Sequence, residues 1–224
     1  SPLRMLGYNP DFPVLNLDVT QKNFRKLEHA VALDKENRAK GVLIGLEIDT
    51  GLRREVKVKA NVRIDDNIFP VKIRVKGDRT MHWAQADTWS YRVQVRGNNA
   101  IFGMKKFSLH RPVTKNYIHE WIFHQMLKAE GLITLRYNFV TLQVNGKSMG
   151  VYAIEEHFDK RLIENNERRD GPILKGDEGG SVETPDMPTW LPIGVYESER
   201  WQEQSPDLLS QATIQMLKFQ SGDL

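Results

Sequence analysis

From residue 56 to residue 64 the chain alternates apolar and polar side chains without interruption: Val56, Val58, Ala60, Val62 and Ile64 against Lys57, Lys59, Asn61 and Arg63. Successive side chains of an extended strand point to opposite faces, so this run has one dry and one wet face and needs a sheet packed on one side. Asp65-Asp66-Asn67 supplies turn chemistry, after which Val71, Ile73 and Val75 alternate with Lys72, Arg74 and Lys76, and the two runs read as a hairpin. Tyr91, Val93 and Val95 then alternate with Arg92, Gln94 and Arg96, and Phe107 with Leu109 marks one more strand. The spacing predicts an antiparallel sheet.

Helical spacing brackets the strands. From Thr20 to Lys40, Phe24, Leu27 and Val31 recur three and four residues apart, with Gly41 where a left-handed stop is wanted. The opening to Val19, with Pro2, Pro10 and Pro13, reads as an extended lead-in, and Val42 to Ile48 as a short strand ending at Thr50-Gly51. Asn116 to Glu130 carries Ile118, Trp121 and Ile122 on a helix that ends at Gly131. Strands from Phe139 to Val144 and from Val151 to Ile154 flank Asn145-Gly146, a pair that suits positive φ in a tight hairpin. His157 to Arg168 reads as a helix, Gly176 to Pro192 as a loop, and Ser205-Pro206 as the start of a last helix through Phe219. The expected fold class is α+β, an antiparallel sheet with packed helices. Its expected parts are an extension with a helix over 1–52, a sheet and helix region over 53–178, and a loop and final helix over 179–224.

Charge is distributed unevenly along the chain. Residues 53–115 carry 15 Lys/Arg against 5 Asp/Glu, and residues 155–224 carry 7 against 15. If the strands are read correctly, Lys57, Lys59, Arg63, Lys72, Arg74, Lys76, Arg92 and Arg96 share the wet face. Like charges at strand spacing repel unless water, carboxylates or a bound anion screens them. An ordinary solvated face and a phosphate-binding face both fit that pattern. Lys76-Gly77-Asp78 ends a strand on a glycine whose backbone a phosphate could approach closely, and simple turn formation explains it equally. A strand cation such as Arg92 followed by a helix acid such as Glu120 has the order in which kinases hold α- and β-phosphates.

Several chemistries are excluded or weakened. With 40% hydrophobic and 27% charged residues the chain has a globular composition, and no apolar run approaches the roughly 20 residues that span a bilayer. The absence of cysteine removes disulfides, thiol nucleophiles and thiolate metal sites. Neither a G-x-S-x-G elbow nor a G-x-x-x-x-G-K-[ST] loop occurs. His119 and His124 lie about 140° apart on a helix, which is poor for joint ligation of a metal. His82, His110 and His157 stand alone and read as structural. Trp83, Trp89 and Tyr91 lie in the basic region, yet no RNP or helix-turn-helix pattern accompanies them, so nucleic acid is a weaker candidate than nucleotide.

The ordered motifs resemble one family. Val71-Lys-Ile-Arg-Val-Lys-Gly-Asp78 is similar to the strand and glycine turn of the CotH kinase family, written R-x-R-G-N or R-L-K-G-D. Trp89-Ser-Tyr-Arg-Val93 resembles its K-x-S-[FY]-[RK]-[IV] strand, and Phe102-Gly-Met-Lys-Lys-Phe-Ser-Leu109 its G-x-K-K-[FL]-x-L segment. Tyr117-Ile-His-Glu-Trp121 resembles the helix that follows, and the stretch from Val144 to Glu156 the N-G-x-x-x-G-x-Y-x-[IL]-x-E hairpin. Gly171-Pro-Ile-Leu-Lys175 is like the next strand. The resemblance covers about residues 55–178.

It implies a fold like the N-terminal lobe and hinge of an atypical protein kinase, binding of ATP with Mg or Mn, and phosphorylation of protein Ser residues, spore coat proteins being the known substrates. Carried over, Arg74, Lys76, Gly77 and Asp78 are the phosphate turn, Arg92 or Lys106 the strand cation, Glu120 its helix partner, and Glu155 and Glu156 the segment near the hinge. Arg at position 92 keeps the charge of the family's Lys and changes its hydrogen-bond geometry. The family's metal-binding and catalytic acids belong to a later segment and are expected downstream of Leu224, so this chain is expected to be the front of such a kinase and inactive by itself. Two alternatives stand beside that reading: a noncatalytic coat or surface assembly module, and polyanion or nucleic-acid binding through the cationic sheet face.

Overall fold

The computed structural model describes residues 12–43, 52–77, 80–85, 88–176 and 193–223. They form two compact units divided after His157. The first is a closed barrel of seven strands: β1 (Val14–Asp18), β2 (Val58–Ile64), β3 (Asn67–Val75), β4 (Tyr91–Val95), β5 (Lys106–His110), β6 (Tyr137–Val144) and β7 (Lys147–Glu156).

Around the barrel the order is β1-β2-β3-β4-β5-β7-β6. Six of the seven contacts are antiparallel, and β6 returns to β1 in parallel with Val14 opposite Thr141 and Leu17 opposite Val144. The expected open antiparallel sheet of a kinase-like lobe is therefore incorrect: the sheet is mixed and has no free edge. The element that changes the architecture is β1, which the proline-rich lead-in conceals. Leu15 and Leu17 are fully buried and alternate with Val14, Asn16 and Asp18, a period-two signal only five residues long.

Inside, Leu15, Leu17, Val58, Val62, Val71, Ile73, Val75, Tyr91, Val93, Phe107, Leu109, Val140, Leu142, Tyr152 and Ile154 form one cluster. Small barrels are filled by their inward side chains, so this is a packed core and not a channel. The Gln21–Leu43 helix packs on β2 and β3 and adds Leu27 and Val31 to the same cluster, together with Trp83 and Trp89 from the β3–β4 connection. Phe24 stacks on Trp89 with ring centroids 5.6 Å apart. The helix runs through Gly41, past the expected stop; the expected strand reaches beyond it into residues 44–50, which lie outside the described residues, as do Gly51 and most of the Gly176–Pro192 loop.

Turn chemistry follows the expectation at Asn145-Gly146, with φ of 49° and 80°. The Asn145 carboxamide oxygen also accepts from the Val19 amide at 2.7 Å, tying this hairpin to the chain that leaves β1. A register shift between Leu142 and Gln143 opposite Gly150 (φ 81°) bends β6 and β7, and such bulges raise the local twist that closure needs. The helix expected over Asn116 to Glu130 spans His119–Ala129, preceded by a tight turn at Pro112–Lys115.

The second unit holds the Lys160–Asn165 helix, a two-stranded ribbon (β8, Leu174–Gly176; β9, Ile193–Val195) and the helices Ser198–Gln204 and Pro206–Ser221. Asp159 caps the first helix by accepting from the Arg161 amide at 2.9 Å. Phe158 stacks on Tyr196 with centroids 4.9 Å apart. The final helix ends on Gly222 with φ of 79°; Leu224, after which the catalytic acids are expected, lies outside the described residues.

Barrel closure assigns a large role to one short strand. Leu17→Ala, which opens a cavity where β1 meets both β2 and β6, should lower stability by about 2–5 kcal/mol, read as a shift of the urea unfolding midpoint.

Candidate functional site

Apolar side chains of β3, β4, β5 and β7 fill the barrel, so their alternate residues must face outward. Cross-strand register places Arg74 opposite Arg92, Arg92 opposite Ser108, and Ser108 opposite Glu155. A second row sets Lys72 opposite Gln94 and Gln94 opposite Lys106. Lys76, at the end of β3, reaches across this surface. Its Nζ donates to Glu155 Oε2 at 2.8 Å and to Ser108 Oγ at 2.9 Å. The two charged side chains are only 18% and 14% exposed, which separates this pair from a solvated surface contact of negligible energy.

His110, fully buried, lies beside the same carboxylate, with Nε2 3.6 Å from Glu155 Oε2. Its other ring nitrogen is 2.9 Å from Thr114 Oγ1, in the turn leading to the His119–Ala129 helix. That helix covers the outer face of β6. Under it His124 stacks on Tyr137 at 5.6 Å, and Tyr137 meets His110 at 5.9 Å. Glu120, on the first turn of the helix, lies 3.5 Å from Lys115 and 3.8 Å from His124.

Electrostatics in the cluster are dominated by burial. Desolvation pulls the Lys76 ammonium below its ordinary pKa; Glu155 opposes this, while Arg92 and Lys115 add to it. Burial would raise the Glu155 acid, but the His110 ring and the Lys76 ammonium beside it hold it well below the usual carboxylate range. Desolvation and then Arg92, Lys106 and Lys76 push His157 down to about 3. Its amide also donates to the Lys106 carbonyl at 3.0 Å. Burial lowers His124 as well. The region is thus partly desolvated, with several cations around the carboxylate of Glu155.

The expected site residues divide on this frame. Lys76, Arg92 and Glu155 come together, Arg74 is in the same cross-strand row, and Lys106 lies near His157. Glu156 is on the other side of β7, because neighbouring strand residues face opposite ways. It is 3% exposed and engaged by Arg136, which donates to it from the backbone amide and from Nε, each at 3.0 Å. Gly77 has φ of 108°, and a β-carbon there would sit 2.3 Å from His82 Cβ, so glycine is required by the close approach of His82. Asp78 lies outside the described residues.

Sequence reasoning misses Ser108, His110 and His157 as members of the site. Each alternates correctly with apolar strand neighbours, or follows a strand, but nothing in the local pattern marks it as facing Lys76. Among the described residues no group of three or more His, Asp and Glu side chains is placed to hold a metal ion, and none of their helices is long and apolar enough to cross a membrane.

The protonation states make stability sensitive to acid. An unfolded chain takes up a proton on His157 near 6.5, whereas the folded ring stays neutral down to about 3. The contribution of the neutral ring is therefore complete above 6.5 and is lost as pH falls toward the folded value, with Glu155 adding further loss below its ordinary range. Wild-type urea midpoints should fall between about pH 7 and about pH 5, and those of His157→Gln should fall less.

A family model described as CotH kinase protein matches residues 73–213, more than half of the 224-residue chain. No curated protein matches the chain. The match begins in β3 and takes in Lys76, Arg92, Glu120 and Glu155, so the chain belongs to the CotH kinase protein family.

Proposed function

We propose that the outer face of β3, β4, β5 and β7 binds the phosphates of ATP, and that the chain serves a kinase that phosphorylates Ser residues of proteins. The observation carrying this reading is the Lys76–Glu155 pair at 2.8 Å, half-sunk in the surface with Arg92 beside it. A lysine steadied by a carboxylate is how kinases orient the α- and β-phosphates. The order Arg92 to Glu120 points to one such pair, and Lys76 with Glu155 supplies another whose geometry is already formed.

The residues fit an anionic ligand. Lys76, Arg92 and Lys106 converge by their mutual electrostatic effects on one partly desolvated patch. Like charges held together partly out of water repel one another, and a polyphosphate would relieve that repulsion. Glu155 would hold the Lys76 ammonium in place, Arg92 would offer a planar fork to phosphate oxygens, and His157, neutral at physiological pH, would add no further positive charge. For Mg or Mn the fit is different. The described residues supply no ligand set, Glu155 and Glu156 being engaged by Lys76 and Arg136.

A second reading, a noncatalytic coat or surface assembly module, is favoured by a specific feature. Ile118, Phe123, Met126 and Leu132, on and beside the His119–Ala129 helix, are each more than half exposed, and exposed apolar groups of this kind mark contact surfaces. Nucleotide binding separates the two readings, because a ligand that prefers the native state raises its melting temperature.

ATP should raise the Tm of the wild-type chain saturably. Lys76→Met should weaken binding by roughly tenfold to a hundredfold, as expected for loss of a charge-assisted contact, and Glu155→Gln should weaken it less. Equal ATP affinity in Lys76→Met and wild type, measured by calorimetry, would remove the site; a steep salt dependence shared by ATP and unrelated polyanions would favour nonspecific binding instead.

A further inference from the structure

Arg53 has no exposed surface at all, although it sits in a Leu-Arg-Arg-Glu stretch that reads as solvent-facing. A buried guanidinium is tolerated only when its charge is paired and its N–H groups are used. Both conditions are met. Asp34, 2% exposed and on the Gln21–Leu43 helix, accepts from Arg53 Nη1 at 2.8 Å. The same carboxylate accepts from the Leu52 and Arg53 backbone amides at 3.0 and 2.9 Å, which fixes the start of the short Leu52–Glu55 helix. The Trp83 ring lies 4.2 Å from the guanidinium carbon.

The remaining edge of the guanidinium points to a single atom. Arg53 Nε and Nη2 both donate to the Gly77 carbonyl, at 3.2 and 2.5 Å. Gly77 follows Lys76 directly. On its other side His82 lies so close that no side chain fits at position 77. His82 is itself fixed by Ser90, whose hydroxyl is 2.9 Å from Nδ1 and whose amide donates to the His82 carbonyl at 2.8 Å. Ser90 returns the contact to the turn, since its carbonyl accepts from the Lys76 amide at 2.8 Å.

We propose that Asp34 and Arg53 are positioning residues for the candidate nucleotide site: they hold the Gly77 carbonyl and thereby set where the Lys76 ammonium stands relative to Glu155 and an incoming phosphate. The inference rests on the nucleotide reading of Lys76. It adds a dependence that the family match does not contain, because both residues precede the matched segment 73–213. The physical ground is the shortness of the linkage. One peptide joins Lys76 to the clamped carbonyl, so a shift of the turn is transmitted to the root of the lysine side chain, and small misplacements of a binding group cost affinity out of proportion to their size. Neither Asp34 nor Arg53 is assigned a contact with the ligand.

Arg53→Lys keeps a positive charge opposite Asp34 but cannot reproduce the planar fork on Gly77. Asp34→Asn keeps the side-chain shape and loses the charge. Leu27→Ala, in the buried face of the same helix, serves as a control that destabilises without touching the brace. ATP affinity by calorimetry, Tm, and amide hydrogen exchange at Lys76 are measured for all four proteins. Arg53→Lys and Asp34→Asn should each weaken ATP binding by about tenfold and speed exchange of the Lys76 amide, while Leu27→Ala lowers Tm and leaves affinity unchanged. Unchanged affinity in both brace variants, with wild type binding ATP, overturns the positioning role and spares the nucleotide reading. Loss of affinity in Leu27→Ala equal to theirs also overturns it, since general destabilisation would then suffice. Fast exchange of the Lys76 amide in the wild type overturns it whether or not the variants fold. Failure of the wild type to bind ATP overturns both proposals, and slow exchange at Lys76 in that case would identify the brace as purely structural.

Discussion

Two neighbours share the five residues of β1: β2 on one side, running antiparallel, and β6 on the other, running parallel. Removing that strand would leave a six-stranded open sheet with exposed hydrogen-bonding edges on β2 and β6, a state that invites pairing with other chains. With β1 in place, Leu15 and Leu17 enter the interior, and every strand of the barrel has two partners. The curvature that follows decides the surface chemistry as well. Closure carries the outer face around a barrel, so cations along the strands do not form one flat plate. Only those near β3, β4 and β5 meet the carboxylate that β7 brings.

That meeting is costly before it is useful. Lys76, Glu155, His110 and His157 are all taken partly or wholly out of water, and burial is the first influence on the ionisation of Lys76, Glu155 and His157. The Lys76–Glu155 contact offsets part of the cost, and Ser108 adds a hydrogen bond to the ammonium. Breaking a buried pair leaves an uncompensated charge, so both partners matter to the surrounding structure as well as to any ligand. The brace formed by Asp34 and Arg53 repeats the same physics more deeply, with every edge of the guanidinium used and Trp83 against its face. A desolvated cation with few ways to move is suited to holding a backbone carbonyl in place.

Legibility in the sequence varied with distance along the chain. The strands at Val58–Ile64, Asn67–Val75 and Tyr91–Val95 were visible because alternation within each exceeds what a helix or loop would show. Asn145-Gly146 announced its hairpin through the positive φ that both residues accept readily. The strand at Val14–Asp18 was not visible, since two inward leucines among prolines fit an extended segment just as well, and its partners lie more than 40 and 120 residues away by register. For the candidate site the residue types were legible and the partnership was not. Lys76 and Glu155 were each singled out by family motifs, yet 79 residues separate them, and only the β5–β7 register turns Glu155 toward Lys76. His110 and Arg53 resisted prediction for opposite reasons: a histidine on a strand carries no sign of what faces it, and an arginine in a basic run reads as solvated.

By itself the sequence determined six of the seven barrel strands, which of their faces is apolar, where the Asn145-Gly146 turn falls, and membership in the CotH kinase protein family through motifs in a set order. These are local properties, decided by alternation and backbone preference within a few residues. The tertiary structure alone decided that the sheet closes, that Glu155 lies beside Lys76 while Glu120 lies beside Lys115 and His124, and that Gly77 is clamped between Arg53 and His82. Those outcomes depend on register and packing summed over distant segments, and a one-residue change of register would turn each of these side chains to the other face without altering the local pattern from which the strands were read.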